Sequence, residues 1–74
     1  MLIRKISIGL DLKNSMTYVV GQLVLGDTYK IHDIVRDNLG SVDVYVRNIE
    51  SGEILHWKSF NQNLPISIEC DIDF

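Results

Sequence analysis

VDVYVRNIESGEILHWKSF, residues Val42 to Phe60, carries the clearest structural signal in the chain, because two alternating segments flank a short polar turn. Apolar and polar residues alternate on both sides of Ser51-Gly52, and a period of two places successive side chains on opposite faces of a sheet. Ser and Gly suit the turn because they accept backbone conformations that larger side chains avoid. The segment therefore predicts an antiparallel β-hairpin.

A turn at Ser51-Gly52 also predicts the register of the hairpin, with Ile49 opposite Ile54. Counting back from the turn gives three further pairs: Arg47 with His56, Val46 with Trp57, and Tyr45 with Lys58. One face is then apolar and belongs to the core, with Val42, Val44, Val46, Leu55 and Trp57. A three-residue loop would place the basic residues of the second strand beside valines, so the pattern favours the first register.

The opposite face of the predicted hairpin is aromatic and basic. Its five residues are our candidate binding residues: Tyr45, Arg47, His56, Lys58 and Phe60. Rings beside cations suit a nucleotide or a single-stranded nucleic acid, and Tyr and Arg are also enriched at the centres of protein interfaces. A solvated sheet face with ordinary cross-strand pairs is the third interpretation.

Turn residues recur along the rest of the chain at similar intervals. They are Lys13-Asn14-Ser15, Gly26-Asp27, Asp37-Asn38-Leu39-Gly40, Glu50-Ser51-Gly52-Glu53 and Asn61-Gln62-Asn63-Leu64-Pro65. Such spacing between short β-branched segments is typical of an antiparallel meander that closes into a barrel or a sandwich. We predict one all-β domain over residues 1–74, with about six strands in an SH3-like barrel or a small sandwich.

The individual segments differ in how they alternate. Ile6, Ile8, Leu10 and Leu12 share one face of the first, and Ile66, Ile68, Cys70, Ile72 and Phe74 share one face of the last. Met16 to Leu25 is apolar on both faces, which predicts a central strand or one buried in a subunit interface. Thr28 to Arg36 loses its phase at Ile34-Val35, which predicts a bulge there.

Composition limits the classes of protein. A chain of 74 residues buries only roughly 60–65% of its unfolded surface, so its core is thin. Cys70 is the single cysteine and allows no internal disulfide, and the two histidines share no metal-ligand spacing with it, so we expect no metal or cofactor. Oligomerisation is the remaining way to stabilise so small a core. A net charge of −3 argues against non-specific binding to a nucleic-acid backbone or an anionic membrane, and it is compatible with a local basic patch.

The N-terminal residues lack the features of a signal peptide, and a lone cysteine fits a reducing compartment, so we expect a cytoplasmic protein. Catalytic chemistry is not indicated. His32 and Asp33 are adjacent and would point to opposite faces of a strand, and Cys70 is best explained as a small apolar residue facing inward. We expect a protein that is not an enzyme.

The acidic C-terminal segment, Glu69 to Phe74, has four interpretations: a paired strand, which we favour, a docking tail, a charged edge that discourages aggregation, or an acidic stripe that mimics phosphates in the DNA-binding site of a target. Three functions follow from the sequence. The first is a protein-binding module, of the kind used by phage-type inhibitors and accessory factors, that occludes a macromolecular partner. The second is a nucleotide or nucleic-acid binder, in the form of an oligomer that sequesters its ligand. The third is a structural subunit of an oligomer.

Overall fold

The structure, a computed structural model, describes residues 2–9 and 15–71 and is all-β with antiparallel pairing throughout, which confirms the predicted fold class. Its seven strands are β1 (Leu2–Gly9), β2 (Ser15–Val19), β3 (Leu23–Val24), β4 (Tyr29–Arg36), β5 (Val42–Asn48), β6 (Ile54–Phe60) and β7 (Ile66–Asp71). One sheet has the order β2-β1-β7 and the other the order β3-β4-β5-β6. The predictions for Leu10 to Asn14 and for Ile72 to Phe74 lie outside the described residues.

A bend in the second predicted segment links the two sheets. The N–H of Val20 donates to the carbonyl of Arg4 in β1 (2.8 Å), and the next N–H, of Gly21, donates to Ile31 in β4 (2.9 Å). Gly21 has φ +98°, a conformation that side chains rarely adopt, so glycine suits the bend. The six predicted segments are therefore present, with the second one divided into β2 and β3.

The prediction that Met16 to Leu25 forms a central strand is wrong. β2 and β3 each lie at the end of a sheet, where Tyr18 and Val24 face inward. Four other apolar side chains of this segment are substantially exposed: Met16, Val20, Leu23 and Leu25. Only one face of the segment packs against the described part of the chain, and the other face exposes apolar side chains to solvent.

The core lies between the two sheets. Its buried residues are Ile6, Ile8, Tyr18, Ile31, Ile34, Val42, Val44, Val46 and Phe60. The alternation in β1 and β5 correctly predicted which side chains of these two strands face the core. In β4 a bulge is present, but the register shifts at His32 rather than at Ile34-Val35. β6 and β7 end their sheets and are not hydrogen-bonded to each other within residues 2–9 and 15–71.

The register of the β5–β6 hairpin differs from the prediction in two ways. The turn is longer, because the N–H of Asn48 donates to Glu53 (2.8 Å) and Arg47 pairs with Ile54. Trp57 then forms a bulge, which changes which face the remaining residues of β6 occupy. As a result Phe60 lies opposite Val42 and is buried.

Candidate functional site

Three of the five candidate binding residues share the outer face of the four-stranded sheet. Tyr45 and His56 are directly opposite each other, and Arg47 lies two residues along β5 from Tyr45. The other two were misplaced. Phe60 belongs to the core, and Lys58 lies opposite Val44 with its Nζ 4.9 Å from the centroid of the Trp57 ring. The bulge at Trp57 is the cause, because one extra residue reverses the direction of every side chain after it.

Tyr45 and His56 form a small cluster with Asp43. Their ring centroids are 5.2 Å apart at an interplanar angle of 45°. The Nε2 of His56 lies 3.1 Å from the Oδ1 of Asp43, so this nitrogen carries the proton that the carboxylate accepts. These side chains contact one another, and no hydroxyl or thiol of the described residues is hydrogen-bonded to His56. The cluster lies on the outer face of the sheet, two residues along β5 from Arg47.

A row of four side chains crosses the outer face at the level of Arg47. Leu23 pairs with Lys30, Lys30 with Arg47, and Arg47 with Ile54. Neighbouring strands lie about 4.8 Å apart, so the row spans about 14 Å. Its two ends are apolar and about half exposed, at 47% for Leu23 and 52% for Ile54, and its middle is cationic.

A groove with a volume of about 580 Å³ opens beside this row. We call it the β3–β5 groove, and its lining residues are Gly21, Leu23, Lys30, Arg47, Asn48 and Ile49. Its size lies within the range of about 300–1,000 Å³ that is usual for ligand pockets. The lining combines two cations, one amide and two large apolar side chains, and it contains no aromatic ring.

The two cations of the groove are not neutralised within the described part of the chain. Lys30 and Arg47 are exposed cross-strand neighbours, and neither side chain forms an ion pair or a hydrogen bond with a described residue. Like charges placed opposite each other in a sheet are destabilising. A second cavity of about 190 Å³ adjoins the groove through Asn48 and Ile49, and Asp27 and Glu50 line it.

Exposed apolar side chains and backbone strain coincide at the turn end of the sheet. Leu25 is 49% exposed and has φ +54°, although a left-handed conformation costs a leucine about 1–2 kcal/mol. Ile49 is 53% exposed, and its N–H donates to the carbonyl of Thr28 (3.1 Å), which ties the β5–β6 turn to the β3–β4 turn. Burial of the Leu25 side chain does not compensate for this strain, since about half of it is exposed. Residues held in strained backbone conformations are often found at functional sites.

Sequence reasoning missed Leu23 and Lys30. Leu23 lies in the segment that is apolar on both faces, and Lys30 lies in an alternating segment. What places them near Arg47 is the pairing of β3 with β4 and of β4 with β5. The exposed position of Lys30 within Thr28 to Arg36 was the available signal. It could indicate a surface residue but not its neighbours on the next strand.

Other groups capable of chemistry are dispersed. Within residues 2–9 and 15–71, no three His, Cys, Asp or Glu side chains are close enough to hold a metal ion. Cys70 is half-buried on β7, which belongs to the sheet opposite the groove. The described residues contain no helix that is long and apolar enough to cross a membrane. The groove is therefore the best candidate for a binding site among the described residues.

Comparison of the chain with protein-family models, with curated proteins and with solved structures gave no match.

Proposed function

We propose that this protein is a non-enzymatic protein-binding module that docks through the outer face of the four-stranded sheet. The observation that carries the proposal is the row from Leu23 to Ile54, in which exposed apolar side chains flank two cations that lack a counter-charge. Arginine is enriched at the centre of protein interfaces, and exposed apolar patches mark sites of protein–protein contact. Tyr45, Arg47 and His56, from the sequence-based set, belong to this surface.

The mode of action that fits a domain of this size is occlusion: the module covers a surface of its partner and blocks other contacts. We place it in the cytoplasm and in the class of phage-type inhibitors or accessory factors, on the grounds of its single cysteine, its small size and its composition. The groove is open rather than enclosed by catalytic groups, which supports a binding role.

The test compares the affinities of a row variant and a control variant for the partner protein. The protein, tagged at its N-terminus, is used to capture and identify a partner from the cells that encode it, and affinity is then measured by calorimetry. The double variant Leu23→Ser with Ile54→Ser removes both apolar ends of the row. We expect it to weaken binding by about 30-fold, which corresponds to about 2 kcal/mol for an interface centre.

The matched control is Leu39→Ser, which removes the large apolar side chain on the β4–β5 turn that is the most exposed among the described residues, at 75%. We expect it to bind with wild-type affinity. Thermal unfolding of each variant checks that the fold is intact. Equal affinities for the double variant and the wild-type protein would exclude this face as the docking surface.

A nucleotide binder is the second candidate, and the size and charge of the groove favour it. It predicts binding that weakens steeply as salt is added, because phosphate contacts release counterions. The absence of a ring in the lining of the groove counts against it, because a base has no stacking platform there. Equilibrium dialysis with a mixture of nucleoside triphosphates at two salt concentrations decides between the candidates.

A structural oligomer is the third candidate, with the exposed apolar residues of Met16 to Leu25 as the subunit contact. Sedimentation equilibrium tests it directly. A monomer at high protein concentration excludes it.

A further inference from the structure

Lys30 and Arg47 lie side by side without a counter-charge, and this arrangement indicates what the groove binds. Their backbones are paired across β4 and β5, and neither side chain has an ionic partner among the described residues. The chain contains ten acidic residues, but none of those that the structure describes forms an ion pair with Lys30 or Arg47. An anion supplied from outside removes the repulsion and gains two charge-assisted hydrogen-bonding groups.

The guanidinium of Arg47 lies near the turn that follows it. Its Nη2 lies 3.5 Å, and its Nε 3.7 Å, from the point that a Cβ on residue 52 would occupy. Gly52 has φ +78°, so glycine meets the backbone requirement of this turn and leaves the guanidinium close to the main chain. Asn48 shapes the same turn, since its Oδ1 accepts the N–H groups of Glu50 and Ser51 at 2.9 Å each. A guanidinium fork suits the planar, two-oxygen geometry of a carboxylate.

The rest of the lining selects among anions. Leu23 and Ile49 require an apolar group next to the charge, which inorganic phosphate does not have. A nucleobase would find no aromatic ring in the lining, and Tyr45 is already packed on His56 outside it. A long polyanion would meet Asp27 and Glu50 in the adjoining cavity and would be repelled.

We propose that Lys30 and Arg47 form a carboxylate-binding site, and that the β3–β5 groove takes an extended acidic segment of a partner protein with an apolar residue beside the carboxylate. This inference rests on the proposed function. The partner's carboxylate lies between the two cations, and its apolar neighbour packs on Leu23 and Ile49. Asp27 and Glu50 repel a second acidic group at the turn end, which fixes the direction of the segment.

The probe is a capped hexapeptide of Ser and Gly that carries a single Asp with one Leu beside it, titrated into the ¹⁵N-labelled full chain and followed by NMR. Two control peptides change one feature each: Asn replaces Asp, or Ser replaces Leu. We expect the largest amide shifts at the groove residues Gly21, Leu23, Lys30, Arg47, Asn48 and Ile49. We expect the Asn peptide to bind about tenfold more weakly, the loss for one charge-assisted contact.

Protein variants separate a specific site from general charge attraction. Lys30→Gln and Arg47→Gln should each weaken the Asp peptide by about tenfold and leave the Asn peptide unchanged. Arg36→Gln removes the same charge at the far end of β4, about 20 Å from Lys30 along the strand, and should have no effect. Two groove variants are used so that the failure of one to fold leaves the other to decide.

The outcomes separate the inference from the function on which it rests. Equal binding of the Asp and Asn peptides, or an Arg36→Gln effect as large as that of Lys30→Gln, overturns the carboxylate site. Saturation of the same amides by ATP or inorganic phosphate at lower concentration than the peptide also overturns it, in favour of the nucleotide binder. If the Leu23 and Ile54 double variant loses its partner while no peptide binds, the docking surface stands and the acidic segment is wrong.

Discussion

Replacing Phe60 with alanine tests the strand register on which the position of the site depends. Phe60 is 9% exposed, and its ring centroid lies 5.6 Å from that of Tyr18. Burial of about 200 Å² at about 25 cal/mol per Å² stabilises the fold by about 5 kcal/mol, and the alanine variant typically loses about 3–5 kcal/mol of it. A single core of this size provides about 3–5 kcal/mol in total. We therefore expect Phe60→Ala to be largely unfolded.

Phe60→Leu gives a measurable intermediate, with an expected loss of about 1–2 kcal/mol in the free energy of unfolding. The assay is equilibrium unfolding in urea, followed by the fluorescence of Trp57, the single tryptophan, whose ring contacts Tyr18 edge-on at 5.6 Å. The control is Ser59→Ala, an exposed neighbour on β6, which should stay within about 0.5 kcal/mol of wild type. A Phe60→Ala protein as stable as the control would refute the bulged register and return Phe60 to the outer face.

Two further predictions concern charge and backbone strain at the groove. Lys30→Glu should stabilise the protein at low salt by roughly 0.2–1 kcal/mol, because a cross-strand pair of like charges with Arg47 becomes a pair of opposite charges. The gain should shrink in high salt, and a loss of stability at low salt, measured in urea, would contradict the assignment of the pair. Leu25→Gly should stabilise the fold by about 0.5–1 kcal/mol, since φ +54° suits glycine, while removing an apolar side chain from the turn end. A thermal unfolding midpoint below that of wild type would show that Leu25 stabilises the fold through contacts of its side chain.

The proposed site combines stability costs that the fold itself does not require. Lys30 beside Arg47 and Leu25 in a left-handed conformation both oppose folding, and both lie at the same end of the four-stranded sheet. A small domain has little stability to lose. Under the proposed function these residues are present because they bind a partner, and Lys30→Glu and Leu25→Gly measure what each costs in stability.

The candidate site was predicted in part. Tyr45, Arg47 and His56 share the outer face as expected, because alternation fixes the face of a residue near a turn. Lys58 and Phe60 were misplaced because they follow the bulge at Trp57. The contribution of β3 and β4 to the groove depends on which strands are neighbours, and a local pattern does not contain that information.

The sequence by itself determined the class of the fold, the approximate positions of the strands and the inward faces of β1 and β5. These properties depend on a period of two and on turn residues, which are local. Only the tertiary structure decided the register of β5 and β6. A turn longer by two residues preserves the alternation, so the pattern cannot exclude it. The bulge at Trp57 buries Phe60. In this register the rings of Trp57 and Phe60 both contact Tyr18, which lies in the other sheet and about 40 positions earlier in the chain. A local pattern does not contain such long-range contacts.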